Sequence, residues 1–182
     1  MPHLSKKGIE LPTSPIRKLV VFSEKAKENG IEVLHLNIGQ PDIAAPKEAI
    51  KAVTSSNLDL LPYGPSQGTL SYRKKLVEYY NNHKISLSTD DIIVTTGASE
   101  ALTFALNVIC DAGDEIIIPE PFYANYNGFA SAASVHVVPV ISEFNSQFQL
   151  PALENIDEKI NPKTKAIPVS YTHLTLPTTG SV

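Results

Sequence analysis

Ile92-Ile93-Val94-Thr95-Thr96-Gly97-Ala98-Ser99-Glu100-Ala101-Leu102 is the stretch on which the fold turns. A short β-branched run meets a glycine and passes at once into a helical pattern. The run lacks polar alternation, as expected of a strand buried on both faces. Downstream the rhythm continues: Ser99 to Cys110 reads as an apolar helix, Glu115 to Ile118 as a strand, and Phe122 to Ala133 as a helix. Val135 to Ile141 reads as a strand, Pro151 to Ile160 as a helix, and Lys165 to Val169 as the start of another strand. Strand and helix in alternation predict an α/β fold, a mostly parallel sheet with helices on both faces.

Upstream the pattern is different. Ser14 can cap a helix, Pro15 suits its first position, and Ile16, Leu19 and Val20 continue a stripe that ends before Gly30. This helix is expected to stand apart from the sheet as an arm, so residues 1–45 read as an N-terminal arm and helix. Ile31 to Asn37 is extended, residues 46–56 are a second helix, and residues 57–68 are a loop rich in Pro and Gly. Helical spacing resumes from Thr69 to Asn82.

Composition narrows the function. The chain has 182 residues, 42% hydrophobic and 19% charged, which suits one soluble globular domain. A formal charge of -4 leaves no broad basic surface for nucleic acid. No apolar run approaches the roughly 18 residues that cross a membrane, and Cys110, the single cysteine, makes no intrachain disulfide, so cytoplasm is the expected location. The 15 basic residues include only two arginines, Arg17 and Arg73, too few for a site built of several guanidinium forks. His3, His35, His83, His136 and His173 lack metal-ligand spacing, and no metal is expected. Asp90-Asp91 reads as a strand entry, Asp111 with Asp114 as a tight turn, and Lys6-Lys7 and Lys74-Lys75 as solvated charges.

The turn at Gly97 offers the N–H groups and dipole of a helix start, beside the Ser99 hydroxyl, which together can cup a phosphate. Alone it equally fits a glycine turn with Ser99 as a cap. Four segments set it in context: Asn37-Ile38-Gly39-Gln40-Pro41-Asp42, Tyr63-Gly64-Pro65-Ser66-Gln67-Gly68-Thr69-Leu70-Ser71-Tyr72-Arg73, Thr95 to Leu102, and Gly113-Asp114-Glu115-Ile116-Ile117-Ile118-Pro119-Glu120-Pro121-Phe122-Tyr123-Ala124-Asn125-Tyr126. In this order and spacing they resemble the class I/II aminotransferases, pyridoxal phosphate (PLP) enzymes of fold type I. The resemblance runs from about Pro15 to Ile167 and covers the N-terminal half of such an enzyme.

It implies PLP as cofactor, an amino acid and a 2-oxo acid as substrates, and a homodimer in the full-length enzyme. Carried over by position, Gly39 matches the glycine whose backbone approaches the substrate carboxylate. Ala98 and Ser99 match the phosphate cup, Tyr123 the aromatic stacked on the pyridine ring, and Tyr63 the tyrosine reaching the partner subunit's phosphate. A flat ring with a dianionic tail does call for a helix N-terminus at one end and an aromatic face at the other. Singly, Gly39 also fits a plain turn, and Tyr63 and Tyr123 fit half-buried packing tyrosines. On this reading residues 46–169 are the N-terminal part of the large PLP-binding domain.

The resemblance breaks near the end. Where the family continues into Asn-Pro-x-Asn-Pro-Thr-Gly, this chain reads Pro168-Val169-Ser170-Tyr171-Thr172-His173-Leu174-Thr175-Leu176-Pro177-Thr178-Thr179-Gly180. The asparagine that bonds the PLP phenolic oxygen is absent, and residues 170–182 read as an aberrant tail, like a translated adapter or a frameshift. The family's pyridinium aspartate, Schiff-base lysine and carboxylate-clamping arginine would all lie beyond the chain, which is therefore expected to be inactive alone. A lyase or acyl transferase of the same fold, and a non-catalytic aminotransferase-like sensor domain, are the alternative readings.

Overall fold

The structure, a computed structural model, describes residues 3–39, 41–56, 59–60 and 62–169. In chain order its elements are α1 (Lys6–Glu10), α2 (Val20–Glu28), α3 (Lys47–Thr54), α4 (Leu70–Asn82), α5 (Ala98–Ile109), β1 (Glu115–Glu120), α6 (Asn125–Ala132), β2 (His136–Ile141), α7 (Leu153–Asp157) and β3 (Thr164–Ala166). Two compact units emerge, one from the described residues of Met1–Leu34 and Ser99–Val182, the other from those of His35–Ala98.

The first unit holds the sheet, three parallel strands in the order β2-β1-β3. β1 pairs with β2 from Glu115↔His136 through Glu120↔Ile141. Ile116 and Ile118 share one face of β1 and pack with Leu106 of α5, Tyr126 and Ala130 of α6, and Val135. Ile117 alternates to the other face and is 0% exposed. This explains the unbroken isoleucine run: the central strand is apolar on both faces.

Two prolines inside strands are accommodated by register. The Glu115 N–H donates to the Lys163 carbonyl at 2.9 Å, toward β3. Pro119, of the same parity, has its nitrogen on that side too, but β3 pairs only as far as Ile116↔Ala166. The His136 N–H donates to the Asp114 carbonyl at 2.8 Å, so Pro139, of opposite parity, turns its nitrogen away from β1. Neither proline removes a bond that the sheet makes. β3 itself stops two residues before Pro168.

Between α5 and β1 the chain reverses in the tight turn read from Asp111 and Asp114. The Asp111 N–H donates to Asp114 Oδ2 at 2.7 Å, and the Asp114 N–H donates to the Asp111 carbonyl at 3.1 Å. α5 therefore runs against β1.

In the second unit, Arg73 of α4 is buried, with Nε donating to the Gly68 carbonyl at 3.3 Å and Nη1 to the Thr89 carbonyl at 2.6 Å. It staples the helix to the loop before it and to the turn at Thr89–Asp91.

Several expectations need correction. Residues 92–95 are extended but form no strand among the described residues: Val94 N–H meets only the Gln67 carbonyl of a loop there, at 3.1 Å, rather than a ladder. Ile92 is buried and Ile93 is 64% exposed, so the run is not covered on both faces. The helix expected from Phe122 begins at Asn125, because Pro121 through Ala124 make the connecting turn. α7 is shorter than the expected 151–160. α1 was not foreseen, since Gly8 lowers its propensity, but the Ser5 hydroxyl caps it by accepting from Gly8 N at 3.0 Å. The stretch from Ser14 opens as a 3-10 turn, Arg17–Leu19, before α2, and neither buries a side chain. The tail expectation, residues 170–182, lies outside the described residues.

Candidate functional site

α5 starts where the sequence reading placed a phosphate cup. Gly97 has φ +80°, the left-handed region that glycine enters without strain. A Cβ there would meet nothing within 4 Å, so the turn's conformation, not space, demands the glycine. Around it the Gly97 N–H donates to the Thr95 carbonyl at 2.9 Å, and the Thr95 hydroxyl donates to the Gly97 carbonyl at 3.0 Å. Ala98 and Ser99 open the helix and are exposed. The first N–H groups of any α-helix lack intrahelical acceptors, so a twelve-residue helix presents a polar, positive end here.

Tyr123 lies in the turn just past the carboxyl end of β1. Because α5 is antiparallel to β1, and about 18 Å of helix matches about 20 Å of strand, Ser99 and Tyr123 belong to the same end of the sheet. That end, outside the carboxyl ends of parallel strands, is where open α/β sheets bind ligands. Tyr123 is 43% exposed. Its ring stands edge-on to Tyr126, centroids 6.3 Å apart at 82°, and its hydroxyl accepts from Asn125 Nδ2. Asn125 thus orients Tyr123. The sequence reading gave it no role, although it was in the quoted motif.

Gly39 and Tyr63 belong to the other unit, as does Ala98. Gly39 is exposed, with no left-handed φ and nothing within 4 Å of an added Cβ, so neither backbone conformation nor packing among the described residues requires a glycine there. Tyr63 is 106% exposed and is no packing residue in this chain.

Lysines near the sheet sit at its other end. Lys165 Nζ lies 3.8 Å from Asp114 at the start of β1, and Lys7 Nζ donates to the Ala132 carbonyl at the end of α6, at 2.9 Å. Cys110, near that end as well, is a poor nucleophile: burial pushes its thiol above the usual range, and the Asp114 carboxylate adds to the shift. Among the described residues no three His, Cys, Asp or Glu side chains could hold a metal ion. No helix of the described residues is long and apolar enough to cross a membrane.

A family model, aminotransferase class I and II, matches residues 31–173. The chain belongs to the class I and II aminotransferases. It is 32% identical over 166 residues to a (5-formylfuran-3-yl)methyl phosphate transaminase of Methanocaldococcus jannaschii, covering 90% of this chain and 42% of that protein. It is 34% identical over 178 residues to a probable N-acetyl-LL-diaminopimelate aminotransferase of Bacillus subtilis, covering 94% and 43%. Among solved structures, the aspartate aminotransferase of Thermotoga maritima superposes with a TM-score of 0.82 at 28% identity, over 90% of this chain and 44% of that one. The chain thus spans about two fifths of the length of the relatives it matches. This class of aminotransferases depends on PLP, and the fold is their fold type I.

The donor set fits parts of that cofactor. A helix start with a glycine turn suits a dianionic phosphate, and a half-exposed tyrosine at the same end of the sheet suits a flat ring.

Proposed function

We propose that this chain is the N-terminal part of a PLP-dependent aminotransferase that moves an amino group between an amino acid and a 2-oxo acid. The observation that carries the reading is the shared end of the sheet: the glycine turn opening α5 and the tyrosine closing β1. The relatives' printed names, transaminase and aminotransferase, favour amino transfer over the lyase or acyl-transfer alternatives.

PLP, when bound, supplies an electron-withdrawing ring that eases loss of the Cα proton. This chain's residues would hold and orient it. The first N–H groups of α5 at Ala98 and Ser99, with the Ser99 hydroxyl, take the phosphate. Tyr123, set by Asn125, covers the ring and excludes water from one face. Gly39 lets its backbone come close to the substrate carboxylate, a role supported by its not being needed for the turn. Tyr63, fully exposed on its own chain, reaches the phosphate of the partner subunit in a homodimer. Residues 1–45 form the arm, residues 46–169 the N-terminal part of the large domain, and 170–182 a non-native tail. The attaching lysine would come from the part of such an enzyme that this chain does not match. The complete enzyme works in the cytoplasm, in amino-acid biosynthesis.

The test is PLP affinity in a complete enzyme carrying this N-terminal part. Ser99→Ala should weaken binding by about 1.5–3 kcal/mol, the scale of one hydrogen bond to a charged group. Unchanged affinity would show that Ser99 only caps the helix. Mixed dimers of Tyr63→Phe with a variant lacking the attaching lysine should recover one native site. Recovery of none would sink the partner-site role of Tyr63.

A further inference from the structure

Residues 4–15 cross the surface of the first unit over α6, and their seat is thin. α1 is five residues long, too short to persist alone in water, and buries no side chain. Leu4 and Ile9 are 77% and 70% exposed. Beneath the segment two hollows remain. One of about 660 Å³ lies between Lys7, Glu10 and Pro12 and a floor that includes Ala130 and Val135. Another of about 450 Å³ lies between Leu11–Pro15 and the start of α6 at Ala124 and Asn125. Apolar burial therefore does little to hold the segment.

A polar tie spans the gap instead. Lys7 Nζ donates to the Ala132 carbonyl at 2.9 Å, across 125 positions of sequence. Ala132 is the last residue of α6, where carbonyls lack intrahelical partners and the helix dipole leaves its negative end. An ammonium is the group that such an end favours.

We propose that residues 4–15 are a strap poised to lift from α6, and that Lys7 is the positioning residue that latches it down. The strap's Leu11–Pro15 face Ala124 and Asn125 across a groove, and Asn125 holds the hydroxyl of Tyr123. Opening the latch uncovers the start of α6 beside that tyrosine. Lys6 makes the contrast: among the described residues it reaches only Glu10 in its own helix, at 3.9 Å, and ties the strap to nothing else.

Limited proteolysis of the full chain with a glutamyl endopeptidase, scoring cleavage after Glu10 under native conditions, tests it. Lys7→Met should speed that cleavage on the order of fivefold, the shift that one net hydrogen bond gives. Lys7→Arg, whose guanidinium can also donate to the carbonyl, should restore the rate to within about twofold. Lys6→Met should leave it unchanged, and hydrogen exchange across residues 125–132 should rise only in Lys7→Met. Equal acceleration by Lys6→Met, no acceleration by Lys7→Met, or failure of Lys7→Arg to rescue would each overturn the latch.

Discussion

Gly68 and Gly113 offer a matched pair for weighing backbone strain against steric contact. Their φ angles are +90° and +91°, so alanine at either is strained by the backbone, at about 1–2 kcal/mol for an L residue in left-handed space. Their surroundings differ. A Cβ on Gly113 would meet nothing within 4 Å, whereas one on Gly68 would lie 2.6 Å from both Cβ and Cγ2 of Val94. Val94 is poorly placed to retreat, because its N–H is bound to the carbonyl of Gln67, next to Gly68, at 3.1 Å. Forcing carbon into that space should add about 1–3 kcal/mol, as overpacking does elsewhere. Gly68→Ala should thus cost roughly 2–5 kcal/mol against roughly 1–2 for Gly113→Ala. Hydrogen exchange read by peptide, over residues 62–94 for one variant and 111–134 for the other, gives the local opening free energies. The double variant Gly68→Ala/Val94→Gly should recover the contact part as a favourable coupling. Equal costs for the two alanines, or strict additivity in the double variant, would refute the argument.

Two predictions concern titration. Ser88 N–H and then Ser88 Oγ–H, at 2.8 and 2.7 Å from Asp91 Oδ2, hold the Asp91 carboxyl below its ordinary 3.8. A depressed carboxylate stabilises the fold above pH 3.8 and loses that contribution as pH falls through the lower folded value. Carboxyl NMR should find Asp91 titrating below 3.8, and Ser88→Ala should bring it part-way back; a normal midpoint would mean that the capping box does not persist in solution. For Cys110 the sign is opposite: burial first and Asp114 second raise the thiol above its ordinary 9.0, so its contribution is full below 9.0 and lost as pH rises through the folded value. Iodoacetamide labelling should show a midpoint above 9.0, lowered by Asp114→Asn, and a midpoint at or below 9.0 would contradict the raised thiol of this partly buried side chain.

The isoleucines of β1, the aspartate turn and the order of elements from α5 to β3 were legible because each depends on neighbours in sequence or on a simple period. The run Ile92 to Thr95 misled for the same reason. Its residues have strand chemistry, yet a strand is defined by a partner, and among the described residues only Gln67 offers Val94 a backbone acceptor. At the candidate site, Gly97 and the start of α5 were readable as a turn into a helix. Asn125 was not, since its bond to Tyr123 appears only once the turn after β1 is folded.

The sequence by itself determined the class of this protein: alternating elements, four ordered motifs and an apolar central strand are local patterns that survive without coordinates. Tertiary structure alone decided which groups meet. Arg73 and Lys7 look in sequence like ordinary surface cations. One is buried on the carbonyls of Gly68 and Thr89 and the other reaches across 125 positions to Ala132. A long cationic side chain takes whichever carbonyl the folded backbone leaves unpaired within its reach, and that choice is written in the packing of distant segments rather than in the residues beside it.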